Sequence, residues 1–353
     1  MNRWVVSGIL GVVAVACLAR VNWAQQDMLT VHVHGFQDTR GVTVLSPLVT
    51  LDKDFTERTG LRTRFGVDAV SAASDSCARC HDQGARNARL FVNGSLVRTY
   101  GDTKLSFGGE VSRENFYAAD TVMVSATRAL NKANTTIGGG YSLSFNRPVL
   151  HPGRGVEQQQ AHDMYASLTQ TLTRTTIVQL AYDFNRITGY QSSPFLRTHV
   201  NGEWMLGATP DLRNRGAFTA RIRQALPAET FLEGDYRYYE DDWALRAHSL
   251  SIGLSHSLSA RVLAGFTYRW HDQTGTAFYR PSYVGAPRFF TGDFRLAPFN
   301  SGLYSGRLVI TPSDGLWGFA QGTALDFEYE RYIANTSYQA AIFTAGLKIP
   351  LGH

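Results

Sequence analysis

From Gly216 to Asp272 apolar and polar residues alternate with a period of two, interrupted only by very short breaks. Val262, Ala264, Phe266, Tyr268 and Trp270 alternate with Arg261, Gly265, Thr267, Arg269 and His271. Leu250, Ile252 and Leu254 do so against Ser249, Ser251, Gly253 and Ser255. Leu232, Gly234, Tyr236 and Tyr238 oppose Glu233, Asp235, Arg237 and Tyr239, and Phe218, Ala220 and Ile222 oppose Thr219, Arg221 and Arg223. Period two is strand geometry, because successive side chains leave opposite faces. The polar face carries full charges, which is odd for a sandwich core and normal for the hydrated lumen of a membrane barrel.

The same alternation fills the rest of the chain and predicts strands near 28–36, 42–55, 60–71, 86–100, 103–116, 119–131, 133–146, 159–173, 175–188, 213–226, 228–242, 244–258, 259–272, 301–312, 321–334 and 338–351. That is an all-β, transmembrane, antiparallel up-and-down barrel of about sixteen strands, fourteen being the alternative count. The connections alternate in length. Thr56 to Thr59, Gly101 and Asp102, Lys132, Arg174, Pro227 and the Leu258/Ser259 junction are tight, while loops near 72–85, 147–158, 189–212 and 273–300 are long and fall on one side. Outer-membrane barrels keep short turns in the periplasm, so with a periplasmic N-terminus these four loops are expected to be extracellular. Only Pro312 to Gln321 departs from the rule, as a longish turn on the short-turn side.

Composition narrows the class. No linker and no compositional shift divides residues 25–353, so one barrel is expected where a soluble all-β chain of this length would split in two. Of the 34 basic residues 30 are Arg, whose planar fork holds carboxylates bidentately across a narrow lumen. The net charge of +5 comes with no basic run interleaved with aromatics, so no nucleic-acid partner is expected. Residues 1–24 begin with Arg3, run apolar from Trp4 to Ala19 and turn polar at Gln25, the pattern of a signal peptide. Cys17 stands either in a degenerate lipoprotein box or as an ordinary residue of the apolar run. Export, a barrel and its lipid contact together predict the outer membrane of a Gram-negative cell.

Several segments carry a family resemblance: Val67–Ser74, Gly189–Phe195, Arg213–Arg215, Tyr236–Trp243 and Tyr268–Gln273 followed by Phe278 and Tyr279. In these the chain resembles the Gram-negative outer-membrane family catalogued as domain of unknown function 3570. The resemblance implies a barrel, sometimes found beside periplasmic redox and flavin-attachment proteins, and implies no established activity. The chain ends Leu351-Gly-His353 without the terminal aromatic common in such barrels.

The sharpest chemical motif is Cys77-Ala-Arg-Cys80-His81. Its spacing is that of c-type haem attachment, two thiols adding to the haem vinyls and the adjacent histidine becoming the iron ligand. A disulfide between Cys77 and Cys80 is the competing reading, since exported thiols tend to oxidise. A chance arrangement or a transient metal site is the third. A sixth iron ligand would come from His151, His162, His199 or Met205, all expected on the long-loop side. His32 and His34 share a strand face, as a metal pair or as two lumen histidines. Acids at Asp68, Glu110, Glu114, Glu233, Asp235, Asp326, Glu328 and Glu330 and arginines at 62, 64, 98, 221, 223, 237 and 269 are expected to line the lumen as ion pairs. Gly138-Gly-Gly140 lacks the end of a phosphate-binding loop and fits close strand packing. No spacing points to a nucleophile, so no enzyme is expected. The expected function is a porin-type or scaffold barrel, with haem c serving electron transfer to a periplasmic or surface redox protein as an added feature. The alternative is a passive pore or partner-binding barrel that carries no cofactor.

Overall fold

The computed structural model describes residues 27–70, 87–148, 157–193, 196–313 and 322–352. The expected signal peptide, residues 1–24, lies outside them. The chain opens with nine long strands: β1 (Met28–Asp38), β2 (Thr43–Thr56), β3 (Thr59–Val70), β4 (Asn87–Tyr100), β5 (Thr103–Arg113), β6 (Tyr117–Leu130), β7 (Thr135–Pro148), β8 (Gln159–Thr171) and β9 (Thr176–Gly189). Two short ones follow, β10 (Arg197–Val200) and β11 (Glu203–Leu206). Then come β12 (Leu212–Leu226), β13 (Thr230–Asp241), β14 (Arg246–Ser259), β15 (Val262–Gln273), the two-residue β16 (Ser282–Tyr283), β17 (Phe299–Ile310), β18 (Ala324–Ala334) and β19 (Gln339–Pro350).

Sixteen of these, all but β10, β11 and β16, close into one antiparallel barrel in which each strand pairs with its neighbours in sequence. Closure is made by β1 against β19, from Met28↔Pro350 to Asp38↔Ala340. The strand count and the approximate positions expected from alternation are those observed. The register also fixes the faces. Leu96 lies opposite Phe107, Leu254 opposite Phe266 and Tyr329 opposite Phe343, all outward. Leu96, Phe107, Ile252, Phe266 and Phe343 are each at least half exposed. A continuous apolar belt of this kind is a liability in water and a requirement in lipid.

One rim, the turn end, is made mostly of tight links such as Glu57-Arg58, Gly101-Asp102 and Ala260-Arg261, the longer connection 311–323 between the last strands being the expected departure. The first and last described stretches meet there. Asp27, fully buried, accepts from Lys53 Nζ at 2.5 Å and from the Asp54 amide at 2.7 Å, and its carbonyl accepts from the Leu351 amide at 2.9 Å. The other rim, the loop end, carries the long connections.

Two of those connections are not irregular throughout. Asn201 (φ 52°) and Gly202 (φ 84°) turn β10 back on β11 as a hairpin, because a two-residue turn that matches strand twist requires positive φ at both positions. β16, from the following long loop, joins β10 in parallel, and Val200, Tyr283 and Phe290 form a small core beneath. The Tyr283 hydroxyl donates to the Phe278 carbonyl at 2.6 Å and accepts from the Arg280 and Thr291 amides at 2.9 and 3.0 Å. Loops 190–211 and 274–298 thus form one small domain on the rim, a feature that strand alternation alone did not predict.

One expected lumen residue is on the other face. Arg98 lies opposite Leu105 and shares the outward face with Leu96, its guanidinium 5.2 Å from the Tyr100 ring. It sits one turn from the rim, where a long side chain reaches the polar boundary while its methylenes stay on the apolar surface.

Candidate functional site

The candidate site is the lumen, and its wall is built in two ways. Across β12 and β13 the register places Arg221 opposite Asp235 and Arg223 opposite Glu233. Arg221 and Asp235 are in direct contact, and Arg223 Nε lies 3.2 Å from Glu233 Oε1. Arg237 reaches past Thr219 to Asp183 at 2.9 Å. On β17 and β18 Arg307 holds Asp326 at 2.6 Å, and on β4 Arg89 bridges Asp68 and Glu110 at 3.5 Å each. Arg62 binds Asp54 at 2.7 Å. Part of the ladder expected from sequence is therefore present: Arg62, Arg221, Arg223 and Arg237 pair, with Asp54, Arg89, Asp183 and Arg307 as members it had not included, while Arg64, Arg269, Glu114, Glu328 and Glu330 are in no ion pair among the described residues. These pairs are half-exposed, so each contributes only about 0–1 kcal/mol to stability. Their main effect is to place both signs of charge along the passage.

Along β6 and β7 the inward positions carry no charge: Thr121, Met123, Ser125 and Thr127 face Ser144, Ser142, Gly140 and Gly138. Glycine here makes room for rings laid flat against the wall. A Cβ at Gly140 would meet Tyr165 Cε1 at 2.4 Å, one at Gly66 would meet Phe91 at 2.4 Å, and one at Gly346 would meet His32 at 2.5 Å. Each ring belongs to the residue directly opposite its glycine. An inward aromatic so placed covers bare backbone without filling the lumen.

At the loop end a buried cluster fixes the vestibule. Asp241 accepts from Arg213 Nε and Tyr239 Oη at 2.9 Å each, and from the Trp243 and Leu245 amides at 3.0 Å each. Arg213 also stacks 4.2 Å from the Trp243 ring centre, whose indole donates to the Leu212 carbonyl at 3.0 Å. Inward-facing Gln273 donates to the carbonyls of Arg295 and Ala297, at 2.9 and 2.7 Å, and draws the 293–297 segment over the mouth. There Arg295 and Asp293 pair at 2.7 Å above a cavity of about 470 Å³ that also touches Arg215, Arg237 and His271. Phe294 continues across the rim to Arg40, 4.0 Å from its ring, and to Tyr338. Burial, with the Asp38 carboxylate beside it, pushes the Tyr338 phenol up to about 12, so it stays a donor to Asp38 at neutral pH.

Cys77, Cys80 and His81, with His151, lie outside the described residues. The other candidates for a sixth iron ligand lie in separate parts of the described structure. The His199 ring lies tilted by 45° against Trp204, centres 3.7 Å apart, in the loop sheet beside exposed Met205, and His162 faces outward with Nδ1 against Tyr141 Oη at 2.7 Å. His32 and His34 both face the lumen with ring centres 5.9 Å apart, and His34 is bonded to Thr344 at 2.8 Å. Among the described residues no group of three His, Cys, Asp or Glu side chains is placed to hold a metal ion.

A closed sixteen-strand antiparallel barrel, apolar outside and ion-paired within, defines a β-barrel with the fold of outer-membrane proteins. Three solved structures share that fold at low identity. CdiB from Acinetobacter baumannii is 9% identical, with a TM-score of 0.55 over 92% of this chain and 60% of its own. A bacterial polysaccharide outer membrane secretin is 8% identical, with 0.53 over 92% and 98%. A loop-L8 deletion mutant of OmpT, an outer membrane protein of Vibrio cholerae, is 11% identical, with 0.50 over 91% and 97%. The chain spans about half (54%) of the ferric enterobactin receptor PfeA from Pseudomonas aeruginosa, which it also matches. No curated protein matches it. The family is given by residues 79–341: the chain belongs to the family described as protein of unknown function (DUF3570).

Proposed function

We propose that this protein is a solute pore of the Gram-negative outer membrane, with its loop end outside and its turn end in the periplasm. The observation that carries the reading is the pairing of an apolar, lipid-compatible outer face with a lumen lined by hydroxyls and ion pairs. A sixteen-strand barrel is wide enough to leave an aqueous channel. Apart from 311–323, the short turns on one rim and the long loops on the other support the orientation. Protein reconstituted into liposomes should speed their swelling in a small neutral sugar; vesicles that swell no faster than protein-free ones, with the barrel folded, would refute the pore. Protease added to intact cells should cut within 190–211 or 274–298, and cleavage only after permeabilisation would reverse the orientation.

A second reading rests on Cys77-Ala-Arg-Cys80-His81. The segment joins β3 to β4 at the loop end, so a covalently attached haem c there would pass electrons to a redox partner on that side. Protein made together with a haem-attachment system should then show haem absorbance that is lost in Cys80→Ser. A colourless protein lighter by two hydrogens than the dithiol would make the pair a disulfide.

A further inference from the structure

One stretch of the lumen wall holds opposite charges that act on each other without touching. Asp163 on β8, Asn185 on β9 and Arg215 on β12 lie directly opposite one another in a single row. Asn185 Nδ2 donates to Asp163 Oδ1 at 2.5 Å, and Ser142 Oγ approaches Oδ2 at 3.5 Å. Both donors are neutral, so the Asp163 charge has no cation in contact among the described residues. Arg215 is the mirror case. The acid opposite it, Asp241, is taken by Arg213, and Arg215 Nε is buried without an acceptor. Asn185 Oδ1 is buried without a donor as well.

The neighbouring pair shows what a closed arrangement looks like: Asp183 and Arg237 in the same cavity meet at 2.9 Å. Asp163 and Arg215 are held apart because Asn185 stands between them and occupies the near oxygen of the carboxylate. Two strand spacings separate their backbones, about 10 Å. A guanidinium with a nitrogen left without an acceptor is costly, and that cost falls when a ligand carboxylate draws it into a paired arrangement.

We propose that this row binds a small zwitterionic solute of the dipeptide class, its carboxylate on Arg215 and its ammonium on Asp163. The cavity has a volume of about 660 Å³ and is also lined by Met123, Tyr165 and Ala217, which suit small apolar side chains. The termini of an extended dipeptide lie about 7 Å apart, which matches charges converging from strands about 10 Å apart. The inference rests on the pore reading in that the lumen must be open to solutes, but its test does not require conduction.

The test is isothermal titration of the detergent-purified, full-length barrel with three probes: dialanine, N-acetylalanine, which lacks the ammonium, and alaninamide, which lacks the carboxylate. Dialanine should bind, with each single-charge analogue weaker by about tenfold, the loss of one charge-assisted contact. Arg215→Gln should weaken dialanine and N-acetylalanine together, and Arg215→Lys should restore part of the loss. Asp163→Asn should weaken dialanine and alaninamide while leaving N-acetylalanine unchanged. Heat-modifiable gel migration shows that each variant is folded. N-acetylalanine binding as tightly as dialanine would make this a plain anion site and overturn the proposal, as would no binding of any probe by the folded wild type. Liposome swelling without dialanine binding would remove this inference and leave the pore standing.

Discussion

The β6–β7 wall and the β12–β13 wall share one strand geometry and the same apolar outer face, yet they build their inner faces by opposite means. On β6 and β7 hydroxyls and glycines keep the surface smooth, and Tyr165 from β8 lies over Gly140. On β12 and β13 long arginines are tied across the strands to Asp235 and Glu233. The first wall has no room for added atoms and little charge to lose. The second has slack in volume, and each side chain balances another. Lumen shape is therefore set on the smooth side and lumen electrostatics on the charged side.

Mutations can break this contrast. The largest effect should come from Asp241→Ala, which strands a buried Arg213, a phenol and two backbone amides; about 3–5 kcal/mol of stability should be lost. Ser125→Ala on the smooth wall should shift stability by no more than about 0.5 kcal/mol in the same denaturant titration. Phe266→Arg should cost about 2–4 kcal/mol in membrane assembly if it lies at mid-bilayer, with Thr267→Arg, facing water, nearly silent. Equal penalties would mean the faces are misassigned. Gly140→Ala should cost about 1–3 kcal/mol because its methyl would meet the Tyr165 ring at 2.4 Å and Ser125 Cβ at 3.0 Å. Arg223→Ala on the charged wall, from a half-exposed pair, should cost under about 1 kcal/mol. Outside both walls, Glu229→Gly should stabilise the β12–β13 turn by about 1 kcal/mol, since Glu229 holds φ 51°. A melting series across these variants would rank them.

Much of the fold was legible in sequence because a barrel with two specified faces writes period two along every strand. The long loops were legible only as length. Asn201-Gly202 is a strong hairpin signal, but it lies inside a segment whose alternation lasts only four residues on either side, too short to stand out. The packing of β16 against β10 is a contact between residues more than eighty positions apart and left no local mark. Arg98 was misplaced because a charge was assigned inward by type, whereas its even-numbered position beside Leu96 set the face. Most of the lumen acids and arginines were readable one by one, Arg89, Asp183 and Arg307 being exceptions. Which of them pair was not, since Arg237 passes its opposite strand to reach Asp183, while Arg215, two residues from Arg213, is left without an acceptor.

That this barrel encloses a wet passage whose charge is set by its ion-paired strands, β12 and β13 among them, can be read by single-channel recording across a salt gradient. Wild-type protein should open ohmic steps in a planar bilayer. Asp235→Ala should move the reversal potential toward anion preference, because Arg221 loses its acid, and Ser125→Ala should leave it unchanged. Folded protein that never conducts, or a reversal potential indifferent to Asp235, would contradict the account.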